Sequence, residues 1–269
     1  MNRIVERFAR LKERQEKGLI VYIGAGDPNL EATRRLALAF EKAGVDVLEL
    51  GVPFSDPLAD GLVNQLAAQR GLESGTTPRK VLETVAAIRR KSQIPIVLYI
   101  YFNLIHRYGV GPFIRDAAKA GVDGLLVLDL PPEEGNACEA LMRKAGLCPI
   151  CLVAPTTPED RIRIIVKHGA GFIYYVSREG VTGMQEKLSD RIAPMIARIR
   201  KHTNLPIAVG FGISTPKQAR LAAIQADAVI VGSAVVNRVA GIGNAVQSRK
   251  VLIFVKSLAQ GVKQAAPRR

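Results

Sequence analysis

Ala43-Gly44-Val45-Asp46-Val47-Leu48-Glu49-Leu50-Gly51-Val52-Pro53-Phe54-Ser55-Asp56-Pro57-Leu58-Ala59-Asp60-Gly61 is the stretch on which the fold turns. Residues Val45 to Leu48 have the length and β-branched content of a buried strand. Side chains alternate between the two faces of a strand, which predicts Val45, Val47 and Glu49 on one face, with Glu49 ending an apolar stripe. Burial raises the pKa of a carboxylate, so that it can give and take a proton near neutral pH. A turn-forming segment follows, carrying Asp56 and then Asp60. One carboxyl at a strand end with others in the next loop suits proton handling. A salt-bridged Glu49 beside two ordinary turn formers fits the same residues.

The four residues that open this stretch recur as Ala120-Gly121-Val122-Asp123, each time as helix end, glycine and strand start. Outward from them the chain alternates. Strands are expected at 19–25, 45–49, 95–101, 124–129, 149–154, 172–177, 206–210 and 228–231. Helical periodicity falls at 31–42, 63–72, 78–91, 113–120, 134–145, 158–168, 190–202, 215–225 and 246–260. Strict alternation implies a parallel sheet, and eight units in 269 residues predict one closed (β/α)8 TIM barrel spanning 1–269. Residues 1–17 add an N-terminal helix with Ile4, Phe8 and Leu11 on one side, and a frayed tail is expected from about 262. A doubly wound open sheet is the alternative. It is weakened because Gly24-Ala25-Gly26-Asp27-Pro28-Asn29 lacks the third glycine of a dinucleotide fingerprint.

A hydrophobic fraction of 48% and a charged fraction of 23% are ordinary for a globular protein. No apolar run approaches the roughly 20 residues that span a membrane, and the mixed-charge N-terminus does not resemble a signal peptide. A cytoplasmic protein is expected. Cys138, Cys148 and Cys151 cannot all pair, and the CxxC spacing of the last two has no partner cluster for zinc; reduced cysteines and no metal are predicted. The net charge of +14 raises the question of nucleic acid. Six basic and no acidic residues lie between 249 and 269, the rest are dispersed, and no nucleic-acid module is present, so a solvated basic surface is preferred.

Active sites of such barrels sit at the C-terminal ends of the strands. Those ends carry Asp27, Glu49 with Asp60, Asn103, Asp129, Thr156, Ser177 with Thr182, Gly210-Phe211-Gly212 and Gly232-Ser233. The last two turns follow strands seven and eight, and backbone N–H groups at a helix start bind anions, so phosphate is expected there; plain tight turns would use the same glycines. Gly180-Val181-Thr182-Gly183 suits a lid. Tyr174 either turns its hydroxyl into the barrel or is a core aromatic. His106, His168 and His202 lie at loops or helix ends.

The chain resembles the tryptophan synthase alpha subunit family over nearly its whole length. The resemblance is carried by Glu49 to Gly61, Ala25-Gly26-Asp27-Pro28, Tyr101-Phe102-Asn103, Asp129-Leu130-Pro131 with Glu133-Glu134, Ser177 to Gly183, Gly210-Phe211-Gly212-Ile213 and Gly232-Ser233. It implies a retro-aldol lyase that cleaves indole-3-glycerol phosphate to indole and glyceraldehyde 3-phosphate. By resemblance Glu49 is the general acid/base, Asp60 holds the indole N–H, Thr182 orders the lid and Asp60, and Tyr174 stands beside Glu49. Gly183, Gly212, Gly232 and Ser233 would hold the phosphate, and Tyr22, Asn64 and Phe211 would line the indole pocket. No cofactor is implied for this chain. The pyridoxal phosphate belongs to a beta subunit, which receives indole through a tunnel in an α2β2 heterotetramer, facing Asp56, Asn103, Asp129 and Pro131. A free-standing lyase that releases indole, or a slow subunit that mainly binds and activates beta, is compatible with the same residues. Leu62 stands where the family usually has proline, Asn64 where an apolar residue touches the indole, and Gly24 where threonine is common.

Overall fold

A computed structural model describes residues 1–177, 186–210, 212–240 and 245–265, with the backbone alone at 186–191 and 245–247. Among these residues nine parallel strand segments form one sheet: β1 (Gly18–Gly24), β2 (Val47–Gly51), β3 (Ile96–Ile100), β4 (Gly124–Val127), β5 (Cys148–Pro149), β6 (Cys151–Val153), β7 (Ile173–Val176), β8 (Ile207–Gly210) and β9 (Ala228–Val231). Their order is β5-β4-β3-β2-β1-β9-β8-β7-β6. The segments β5 and β6 are one barrel strand interrupted at Ile150. Its first half pairs with β4 and its second with β7, so the chain itself closes the barrel. Pro149 sits at this break and has no N–H to give a ladder.

The helices are α1 (Arg3–Glu13), α2 (Leu30–Lys42), α3 (Leu62–Glu73), α4 (Pro78–Arg89), α5 (Phe102–Tyr108), α6 (Val110–Ala120), α7 (Pro132–Lys144), α8 (Glu159–His168), α9 (Glu186–Arg200), α10 (Pro216–Gln225), α11 (Ser233–Val239) and α12 (Ala245–Lys263). Helix α5 is not expected from the sequence. Its seven residues directly follow a strand with only Tyr101 between them, too short a run for the helical period to stand out. Helix α12 runs past the expected end, and residues 266–269 lie outside the described ones. Among the described residues no helix is long and apolar enough to cross a membrane.

The recurring Ala-Gly-Val-Asp is a clip between strand starts. Asp46 donates its N–H to the Leu19 carbonyl at 2.8 Å, and its side chain accepts the Leu19 N–H at 2.9 Å. Asp123 repeats this with Ile96 at 2.9 and 2.8 Å, and Asp227 with Ile207 at 2.9 and 2.8 Å. Each aspartate thus satisfies an N–H that the ladder leaves unpaired. Arginines neutralise the buried charges: Arg7 on Asp46, Arg3 and Arg89 on Asp123. The clip corrects one expectation. Strand β2 begins at Val47, so alternation does not extend back to Val45, which packs in the outer core between sheet and helices.

Two apolar layers result. The outer one joins the strands to the surrounding helices. The inner one fills the lower barrel with Ile20, Val47, Val97, Leu126, Ile150, Phe172, Ala208 and Ile230, closed from below by Ile4, Phe8 and Leu11 of α1. Phe8 meets Phe172 with centroids 5.6 Å apart. Asn2 caps α1 through Ile4 N–H and ties it to the Asp123 and Gly146 carbonyls at 2.7 and 2.8 Å. Burying each of those three side chains is worth about 1.5–3 kcal/mol, so α1 is a plug rather than an appendage.

Candidate active site

Two residues above that floor, alternation along each strand changes the chemistry of the interior. Ile20 gives way to Tyr22, Val47 to Glu49, Val97 to Tyr99 and Phe172 to Tyr174. Tyr22 lies opposite Glu49 in the β1–β2 register, and Glu49 opposite Val97 in the β2–β3 register. Further up, Gly51 and Gly210 leave room for rings: a methyl group at Gly51 would collide with the Tyr22 hydroxyl, and one at Gly210 would lie 2.7 Å from the Tyr174 hydroxyl.

Glu49 is 1% exposed, and its Oε1 has no hydrogen-bond partner among the described residues. Burial first, and the charge of Asp60 second, push its carboxyl up to about 8. Asp60 sits in the loop between β2 and α3, and three donors converge on it. Tyr99 O–H reaches Oδ1 at 2.7 Å, Tyr101 O–H reaches Oδ2 at 2.8 Å, and Asn64 Nδ2 reaches Oδ1 at 3.3 Å. The Tyr101 oxygen also accepts the Ala59 N–H at 3.0 Å, which anchors the loop to β3. Burial, then the Asp60 charge, drive Tyr99 upward, so its hydroxyl stays a donor. Tyr22 and Tyr99 meet edge-on with centroids 5.1 Å apart. A small pocket opens here, lined by Tyr22, Gly24, Gly51, Phe54, Asp60 and Tyr101 among others.

Across the same rim, Gly212 adopts φ +63, a left-handed conformation suited to glycine. Gly232 precedes α11, where the Val235 and Val236 N–H groups bond back to its carbonyl. The Ser233 and Ala234 N–H groups belong to the helix start that has no partner within the helix. Asp129 does not end a strand. Strand β4 stops at Val127, and Asp129 Oδ1 instead accepts the Phe102 N–H at 2.7 Å, steadying the start of α5. Asp56, Asn103 and Asp129 are exposed and Pro131 is half-buried, all beyond the ends of β2, β3 and β4. Asp27 is held by a two-point ion pair with Arg70 of α3, 2.8 Å at each oxygen, and serves the fold. Thr182, Gly183 and Phe211 lie outside the described residues.

Burial pushes the Cys148 thiol up to about 11 and the Cys151 thiol to about 12; all three cysteines are free. His168 and His202 pair with Glu139 and Glu159. No group of three or more metal-binding side chains occurs among the described residues. Tyr99, with Tyr101 beside it on Asp60, is what the sequence reasoning missed. Its signal was present, since Val97 and Tyr99 share one face of β3 and Tyr101 follows directly after its end, so the hydroxyls come at the upper end of the strand.

The family model described as "Tryptophan synthase alpha chain" matches residues 8–267. The chain belongs to that family. A tryptophan synthase alpha chain of Opitutus terrae is 52% identical over 237 residues, 88% of this chain and 89% of the relative. That of Geotalea daltonii is 47% identical over 262 residues, 97% of this chain and 99% of the relative. The crystal structure of tryptophan synthase subunit alpha from Legionella pneumophila str. Paris superposes with a TM-score of 0.90 at 37% identity, covering 98% of this chain and 99% of that one. An aminoacrylate-bound tryptophan synthase structure from M. tuberculosis gives 0.87 at 31%, covering 97% and 100%. Membership makes this chain the lyase subunit of tryptophan biosynthesis. The comparisons favour neither the free-standing lyase nor a subunit reduced to binding.

Proposed function

We propose that this chain cleaves indole-3-glycerol phosphate to indole and glyceraldehyde 3-phosphate by a retro-aldol step, in the cytoplasm, as the alpha subunit of an α2β2 tryptophan synthase. Glu49 carries the reading: a fully buried carboxyl with one oxygen unpartnered among the described residues, titrating at about 8, beside an acidic residue held by three donors. At neutral pH most of it is protonated, which is the form that delivers a proton.

Protonated Glu49 gives its proton to C3 of the indole, while the ring N–H rests against Asp60, whose charge stabilises the cationic ring. The resulting carboxylate then takes the proton of the hydroxyl on the carbon bonded to C3. That carbon becomes an aldehyde, the carbon–carbon bond breaks, and its electron pair returns to the ring to leave indole. One proton leaves Glu49 and one returns, so the enzyme ends as it began. Tyr174, whose titration is raised by burial and next by the Glu49 charge, takes the role of orienting that carboxyl. Gly183, Gly212, Gly232 and Ser233 take the roles of phosphate holders, Tyr22 and Phe211 flank the ring, and Thr182 orders the lid and Asp60. The rim with Asp56, Asn103, Asp129 and Pro131 is the face offered to a beta subunit.

Indole release from indole-3-glycerol phosphate, with and without a beta subunit, tests the reading. Slow turnover that rises sharply with beta is expected. No turnover in either case, by a chain that still binds beta, would refute it.

A further inference from the structure

The donor set on Asp60 leaves one atom unaccounted for. A carboxylate accepts in about four lone-pair directions and donates nothing when ionised. Three of those directions on Asp60 are taken by Tyr99, Tyr101 and Asn64, which leaves about one, on Oδ2. Because Asp60 only accepts, the Asn64 atom turned toward it is the amide nitrogen. The carbonyl oxygen Oδ1 of Asn64 therefore points elsewhere. It is buried, and no described residue donates to it; Glu49 Oε1 is the other side-chain atom in that condition among the described residues.

A buried acceptor without a donor is a cost to the empty protein that a ligand donor removes. Asn64 Oδ1 shares a carbon with the nitrogen that touches Asp60, so it lies about one amide width from that contact. Asn64 lies in the first turn of α3, directly after the loop that carries Asp60, so the loop and the helix start place both acceptors together. The substrate's ring N–H is a donor of the right kind, and the glycerol hydroxyls remain for Glu49.

We propose that Asn64 is a specificity-determining residue: with Asp60, its carbonyl oxygen accepts the ring N–H and selects for a ring that carries one. The proposal rests on the substrate reading above. It also explains how a polar side chain is accommodated beside an apolar ring: its nitrogen is tied to Asp60 and its oxygen is satisfied only in the complex.

Two probes test it, the 3-hydroxypropyl phosphate derivative of indole and the benzofuran of the same shape, in which oxygen replaces the N–H. Calorimetry on the full chain gives their affinity ratio for the wild type, Asn64→Leu and Tyr99→Phe. The wild type should prefer the indole probe by at least about tenfold. In Asn64→Leu that preference should fall at least about fivefold, while Tyr99→Phe, which keeps the Asn64 oxygen, should hold it within about twofold. Asn64→Ala serves if leucine disturbs the first turn. An unchanged ratio in the Asn64 variants, or an equal loss for both probes, overturns the proposal and leaves the substrate reading standing. Failure of the wild type to bind either probe sinks that reading instead.

Discussion

Replacing Glu49 by glutamine should abolish turnover and yet make the protein more stable as the pH rises. The carboxyl is fully buried and titrates at about 8 in the folded chain, raised from 4.5 by burial and then by the Asp60 charge. Between those two values the folded protein holds a proton at this position that the unfolded chain has lost. Stability from this group is therefore fully present below about pH 4.5, declines as pH rises, and is lost once pH passes about 8. Each pH unit inside the window is worth about 1.4 kcal/mol, so between pH 5 and pH 8 the wild type loses on the order of 4 kcal/mol through Glu49. Glutamine has no proton to lose. Other groups titrate alike in both proteins, so the difference between them isolates this carboxyl. Urea unfolding followed by circular dichroism at pH 5, 6, 7 and 8 supplies that difference. It should shift in favour of Glu49→Gln by about 4 kcal/mol over the range. A flat difference would mean that Glu49 is already ionised in the folded protein at pH 5, and its part as a proton donor would fall with it.

Three further outcomes are expected. The kcat/KM of the wild type should decline as pH rises through about 8, because the protonated Glu49 is the donor; a profile that climbs through that value would reverse its role. Ser233→Asp places a charge at the start of α11, where phosphate is expected, and should raise KM by about tenfold or more; an unchanged KM moves the phosphate elsewhere. Arg70→Leu strips the partner from Asp27, which is 1% exposed, and should cost about 3 kcal/mol or more of unfolding free energy. Adding Asp27→Asn should recover much of it, and no recovery would show that Arg70 acts by packing alone.

What the sequence determined by itself was whatever repeats or is local. Eight alternating units follow from periodicity, and the Ala-Gly-Val-Asp echo marks strand starts because an aspartate there can clip the neighbouring strand in any unit. Glu49 and Asp60 were legible because a carboxylate ending an apolar run is chemically conspicuous. The extent of the strand was not: Val45 lies outside β2, and the fifth strand breaks at Ile150, because pairing partners rather than composition decide where a ladder runs. Helix α5 was too short for its period to register.

Only the tertiary structure decided what surrounds the two carboxyls. Tyr99 and Tyr101 are distant from Asp60 in the chain, and nothing in strand propensity says that their hydroxyls bond the next loop rather than water. Asn64 reads in the sequence as a polar intruder in an apolar pocket; in the fold its nitrogen lies on Asp60, and its oxygen has no donor among the described residues. Alternation along a strand is a property of one segment. The convergence of side chains from β1, β2, β3 and β7 on one point depends on barrel closure, which brings together residues that share no local signal.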